Sequence, residues 1–180
     1  MRHVDWTGVQ AVEGFDAPTP GAYIARIASV TDVEEKEYLK LEWDFAEGQY
    51  KGYNKDTFTR AGFWPTPLIR SYKDSALGFF KAFKTAVEAS NPGYIFDDQN
   101  PHALAGKLMG LVLGEEGYIK TNGTPGRRLY VAQTRSLEAI QTGDFKVPEF
   151  RPAKSKPAAP ASWAAPGGFP ESDEDGDLPF

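Results

Sequence analysis

Hydrophobic and polar positions alternate most cleanly at residues 38–45. Leu39, Leu41, Trp43 and Phe45 share one parity, and Tyr38, Lys40, Glu42 and Asp44 share the other. A period of two with one apolar side predicts a strand with one buried and one wet face. The preceding stretch, Tyr23 to Val30, is β-branched and aromatic and also suits a strand. There Ile24 and Val30 share parity but Ile27 does not, so a bulge is expected. Glu47-Gly48-Gln49 reads as a tight turn. A third strand is expected from Tyr50 to Arg60, completing a long hairpin with Lys51, Tyr53, Lys55 and Thr57 on one side. Ala61 to Pro67 contains Gly62, Pro65 and Pro67 and cannot be regular structure.

The one strong helical period follows. Leu77, Phe80, Phe83, Lys84 and Val87 recur at helical spacing, and Phe79 widens the apolar face. Asp74 or Ser75 is the expected cap, and Asn91-Pro92-Gly93 the expected stop. Asn100-Pro101 can begin a further turn of helix. Lys107 to Lys120 reads as a fourth strand, Asn122 to Gly126 as a turn, and Arg127 to Arg135 as a fifth strand. On that fifth strand Leu129 and Val131 face one way, Arg128 and Tyr130 the other. A short helix over Ser136–Thr142 ends at Gly143. Three strands, a helix and two strands follow the order of the five-stranded oligonucleotide-binding barrel. The expected fold is therefore mainly β: such a barrel over residues 20–150, with one main helix between strands 3 and 4. Residues 1–19 read as an irregular arm, which Trp6 and Phe15 can pin to the body.

Composition changes sharply after residue 150. Residues 151–170 are dominated by Pro and Ala, with Gly167-Gly168, and cannot bury enough surface to order themselves. They read as a disordered tether. Residues 171–180 carry five carboxylates and no Lys or Arg, then close on Leu178-Pro179-Phe180. An acidic run alone is usually a solvated tail. Solubility does not explain the apolar end, which suits a captured peptide. Phe180 would fill a partner's pocket, a basic residue would hold the terminal carboxylate, and the acids would steer the approach. The chain has 25 acidic and 20 basic residues, a net charge of −5. Removing the tail's five acids leaves a neutral body, so the acidity is local.

With no Cys, disulfides and thiol metal sites are excluded. His3 and His102 are the only histidines and lie far apart in sequence, which disfavours His-based metal sites. No Gly-rich Lys-Ser/Thr phosphate loop occurs. Asp97-Asp98, beside Gln99-Asn100-Pro101, reads as loop and helix-capping rather than as a nuclease pair. No enzyme activity and no cofactor are expected. The first residues carry no signal-peptide run and no stretch reaches membrane-helix length, so a cytoplasmic protein without membrane contact is expected.

The ending resembles the C-terminal peptide of bacterial and phage single-stranded DNA-binding proteins, which finish in Asp residues followed by Ile-Pro-Phe or Leu-Pro-Phe. The body resembles the phage and prophage members of that family. The matching stretches are Pro20-Gly21-Ala22-Tyr23, Tyr38 to Trp43, Gly48 to Gly52, Gly106 to Gly110 and Gly143 to Pro148. The resemblance implies a protein that coats single-stranded DNA in phage replication or recombination, in the cytoplasm of a bacterial host. It implies that Asp175, Asp177, Leu178, Pro179 and Phe180 dock other replication or recombination proteins without binding DNA. A monomer or a homodimer is compatible with it.

Strand parity supplies the candidate DNA face. If the apolar side of residues 38–45 points inward, Tyr38 and Lys40 point out. Lys51, Tyr53 and Lys55 would form a basic–aromatic–basic run beside them, and Arg127, Arg128 and Tyr130 another on the last strand. Unpaired DNA needs this mixture of cations for phosphates and rings for stacking, with little sequence preference. Arg60 and Phe58 break the parity of Lys51 and need a twist or bulge to join the face. Trp64, between Gly62 and Pro65, suits a base clamp and a core plug equally. Arg70 and Lys73 read as solvated residues beside the helix start. Each residue also has a plainer reading, since a strand Tyr packs and a Lys beside it is an ordinary wet face. The rival functions are annealing of complementary strands on the same surface and a protein-binding adaptor.

Overall fold

β1 (Gly21–Val33) and β2 (Tyr38–Phe45) form where branched and aromatic residues are densest. The computed structural model describes residues 17–153. In β2 burial alternates residue by residue, and Leu39, Leu41, Trp43 and Phe45 are at most 3% exposed. In β1 the pairing register with β2 shifts between Ile27 and Ser29. That bulge lets Ile24, Ile27 and Val30 all be buried despite their unequal parity.

β1 is the hub of the sheet because it is long enough for two partners. Ala25 to Val33 pairs with β2, and Gly21 to Arg26 pairs with β4 (Leu108–Ile119), both antiparallel. β3 (Leu68–Ser71) adds to the far side of β2, and β5 (Pro125–Arg135) to the far side of β4. The result is a five-stranded antiparallel sheet in the order β3-β2-β1-β4-β5. The expected barrel closure is absent: among the described residues no hydrogen-bonded ladder joins β3 to β5. β3 has only four residues, and Pro65 and Pro67 precede it without backbone donors, so little edge is left to pair.

The expected third strand is overturned. Residues 53–61 form a helix, α1 (Tyr53–Ala61), and the strand itself starts only at Leu68. Gly52 enters α1 at φ 81° and Gly62 leaves it at φ 77°, conformations that cost a side-chain-bearing residue energy. Gly52 has no side chain to cap the helix, and Asp44 of β2 replaces one. Its Oδ1 accepts from the Asn54 amide at 3.0 Å and its Oδ2 from the Lys55 amide at 3.3 Å. A carboxylate there also complements the positive end of the helix. The face that α1 turns to the body carries Tyr53, Asn54 and Thr57, a helical spacing rather than a strand parity.

The main helix, α2 (Leu77–Ser90), lies between β3 and β4 in sequence and packs against β3, β4 and β5. Neither Asp74 nor Ser75 caps it: a 3₁₀ turn over Asp74–Ala76 leads in and Ala76 is the N-cap. Phe83 and Val87 are fully buried and form part of the core. Asn91 ends α2 and fastens β4, exchanging two hydrogen bonds with Leu108 through its amide at 2.8 and 2.9 Å. Arg70 is not solvated as expected. It sits opposite Leu39, on the inner parity of β3, with its guanidinium 5.8 Å from the Phe83 ring. Its Nε has no hydrogen-bond partner among the described residues, and burial lowers its pKa to about 10, leaving it charged at neutral pH.

α3 (Leu137–Thr142) is capped by Ser136, whose Oγ accepts from the Ala139 amide, and ends at Gly143 with φ 77°. Beyond it the chain returns to the sheet. Past the end of β1 the edge of β4 is open, and Arg151 fills it in parallel pairing. The Arg151 amide donates to Glu115 O at 3.0 Å and the Gly117 amide to Arg151 O at 2.8 Å. No helix among the described residues is long and apolar enough to cross a membrane.

Candidate nucleic-acid interface

β3 stops pairing with β2 at Leu41, so the Trp43 carbonyl meets no strand on that side. Two side chains fill the place: Asn54 Nδ2 and Trp64 Nε1 each donate to Trp43 O at 2.8 Å. α1 and the loop after it are thereby held against the end of β2. Between them and β5 lies a cleft of about 370 Å³, at the seam where the sheet fails to close. Trp43, Phe45 and Tyr53 wall one side, Pro65 and Thr66 one end, and Leu113, Glu115, Arg127 and Leu129 the other side.

The apolar wall is an aromatic cluster. Phe45 lies 5.1 Å from Trp43 and from Tyr23, and Tyr53 lies 6.4 Å from both Phe45 and Tyr50, mostly edge to face. Such pairs add about 0.5–1.5 kcal/mol beyond the area they bury and hold the rings in place. Tyr53 is half-buried within this cluster while still lining the cleft.

Lys51, in the turn before α1, and Lys55, in its first turn, are exposed and make no ion pair among the described residues. Arg60, in the last turn, is exposed and its Nε donates to Asp56 O at 3.2 Å. Trp64 is half-buried by its bond to Trp43 O and tilts against Phe58 at 5.7 Å. Strand parity left Phe58 off the face without a twist or bulge and gave Phe63 no role, yet both are exposed on this flank. Phe58 is 46% and Phe63 is 59% exposed. On a helix Phe58 stands one turn from Lys55 on the solvent side. The signal that could have found them is Gly62 after Arg60-Ala61, a helix stop following a basic last turn.

The fifth strand is different. Leu129 and Val131 pack on the core as expected, and Arg128 and Tyr130 face the other way. Arg127 shares the inner side with Leu129; its Nη1 lies 3.3 Å from Glu115 and its guanidinium 4.9 Å from the Phe150 ring. Arg128, directly opposite Glu116, meets it at 2.7 Å and lies 5.6 Å from the Tyr118 ring. Tyr130 crosses Gly114, where a Cβ would come within 2.7 Å of its ring and of Pro148. Arg151 covers the ring at 4.4 Å, and the hydroxyl is buried without a partner among the described residues. Tyr53 and Tyr130 therefore do not share one surface.

Tyr38 and Lys40 lie on the wet side of β2, opposite the parity of Trp43 and Phe45, and Lys40 is 3.6 Å from Glu42. The structure thus brings Tyr53, Arg127 and Arg128 to the lining of one cleft, while Lys51, Lys55, Arg60 and Trp64 lie on α1 or in the turns flanking it, outside that lining. It leaves Tyr38, Lys40 and Tyr130 on other faces. Asp97 is a turn residue, accepting from the Gln99 amide at 2.9 Å. Asp175, Asp177, Leu178, Pro179 and Phe180 lie outside the described residues. The sequence matches no protein-family model and no curated protein.

Proposed function

We propose that the protein binds single-stranded DNA without enzymatic activity, coats it during replication or recombination, and recruits partners through its C-terminal peptide. The fold in this reading is an oligonucleotide-binding barrel left open at the seam between β3 and β5. What supports it is the strand order β3-β2-β1-β4-β5 with the main helix between β3 and β4, the order such barrels take when opened at that seam. The single observation that carries the DNA reading is the cleft at that seam, bordered by α1 and the turns flanking it, which carry the exposed Lys51, Lys55, Phe58 and Phe63. Rings that can stack on any base, beside cations that meet phosphates, are what a strand-coating surface requires. The Asp-rich Leu-Pro-Phe ending supports the recruiting role. A Pro- and Ala-rich tether lets that peptide reach a partner while the body stays on DNA.

Fluorescence titration with oligo-dT and with duplex of the same length tests this. Tight, salt-sensitive binding to the single strand and much weaker binding to duplex are expected. Equal affinity for both overturns the reading. A chain lacking the last ten residues should bind oligo-dT at least as tightly and should lose partner capture.

A further inference from the structure

We propose that the seam cleft is the docking site of the chain's own N-terminal arm, residues 1–16, with Phe15 seated on its apolar wall. The docking goes beyond the single-strand reading and does not rest on it.

The described chain begins at the cleft, because Ala17 and Pro18 line it. The sheet itself turns the chain that way. β1 pairs with β4 from Gly21, opposite Leu113, and cannot be prolonged back toward residue 17. Pro18 and Pro20 have no amide to donate to a ladder. The next stretch of the β4 edge is taken by Arg151, bonded to Glu115 and Gly117 at 3.0 and 2.8 Å. Tyr23 holds the departing chain, its hydroxyl donating to Thr19 O at 2.8 Å. At roughly 3.3–3.6 Å per residue, Phe15 lies within about 7 Å of Ala17 whatever its path. A tether this short keeps a segment beside its site at an effective concentration of roughly millimolar, ahead of a dilute separate ligand.

The cleft asks for what the arm carries. Its volume, about 370 Å³, suits a short segment rather than a folded partner. Leu113 and Leu129 give it an apolar wall. Trp43 also lines it and is 1% exposed, and its buried Nε1 has no acceptor among the described residues. A donor so buried is costly to leave unmatched. An apolar side chain with an acceptor beside it answers both needs. Phe15-Asp16 supplies a ring, two backbone carbonyls and a carboxylate. Charge adds less, because Arg127 and Arg128 are already met by Glu115 and Glu116. With the arm seated, Lys51, Lys55, Phe58 and Phe63 stay outside the lining and open to a single strand.

Hydrogen exchange and amide NMR spectra of the full chain, without nucleic acid, test it. Amides of residues 12–15 should exchange at least about tenfold more slowly than in a free peptide of residues 1–16. Phe15→Ala should remove that protection from the arm's side, and Thr66→Trp, which fills the cleft, from the body's side. Deleting residues 1–16 should shift the amide signals of Tyr53, Leu113 and Leu129. Free-peptide exchange along the arm, protection that survives both substitutions, or unmoved cleft signals overturn the docking. Protection lost on dilution, as a dimer dissociates, overturns it in favour of a second copy's arm. Cleft signals that move instead on removal of the last ten residues overturn it in favour of the tail. A chain that binds no oligo-dT leaves the docking intact, and an undocked arm leaves strand binding standing.

Discussion

The helical flank of the cleft and the β5 flank both mix cations with rings, but they dispose of their charges differently. On β5 each Arg is answered within the fold: Arg127 by Glu115 and Phe150, Arg128 by Glu116 and Tyr118. On the helical side Lys51 and Lys55 stand in water with no carboxylate paired to them among the described residues, next to Phe58 and Phe63. A cation already paired must give up its partner before it can meet a phosphate, so its net contribution to binding is small. The same residue types therefore point to a ligand on one flank and to sheet cohesion on the other. Composition alone treats the two alike.

The largest effect should come from reversing the helical charges. Lys51→Glu with Lys55→Glu is expected to weaken oligo-dT binding by more than about tenfold at low salt. The log–log salt dependence should become shallower by about 1.4, since each phosphate neutralised on a single strand accounts for roughly 0.7 of the slope. An unchanged slope would break the comparison. Next in size are Phe58→Ala and Phe63→Ala. If bases stack on them, each costs roughly 1–3 kcal/mol of binding. Because both rings are about half in solvent, the urea midpoint should stay near that of the natural chain. A drop in stability with affinity unchanged would make them packing residues instead.

Asp44→Ala sharpens the comparison from below, because it removes what holds the helical flank together. The substitution should lower stability by about 1–2 kcal/mol in urea titrations, the scale of a missing helix cap. Smallest of all is Arg128→Gln. Its pair with Glu116 is mostly exposed and worth under about 1 kcal/mol. Affinity for oligo-dT should stay within about twofold, and a large drop would return β5 to the binding surface.

Much of the fold is legible in short-range pattern. The alternation of residues 38–45, the bulge in β1, the helix ending at Asn91 and the short helix ending at Gly143 all depend on neighbours within a few positions. Residues 50–60 mislead for a physical reason. Tyr53, Thr57 and Thr59 favour strands locally, and a parity of two can be drawn through Lys51, Tyr53 and Lys55. What makes the segment helical is Asp44, nine and more residues earlier, supplying the cap that Gly52 lacks. The candidate site inherits that error. Parity picks out Tyr53 and Arg127, which line the cleft, but it passes over Phe58 and Phe63 and puts Tyr130 on a face that Arg151 covers.

By itself, the sequence determined which residues alternate, where most of the strands and the main helix run, and that an acidic, phenylalanine-ended peptide follows a proline-rich stretch. Those properties are written in nearest-neighbour spacing and in composition. Only the tertiary structure decided that β3 and β5 stay apart, that a cleft opens between them, and which cations are paired within the fold. Those outcomes depend on contacts between residues distant along the chain, such as Asn54 and Trp64 on the Trp43 carbonyl, or Arg151 on Tyr130. Local periodicity carries no record of such contacts.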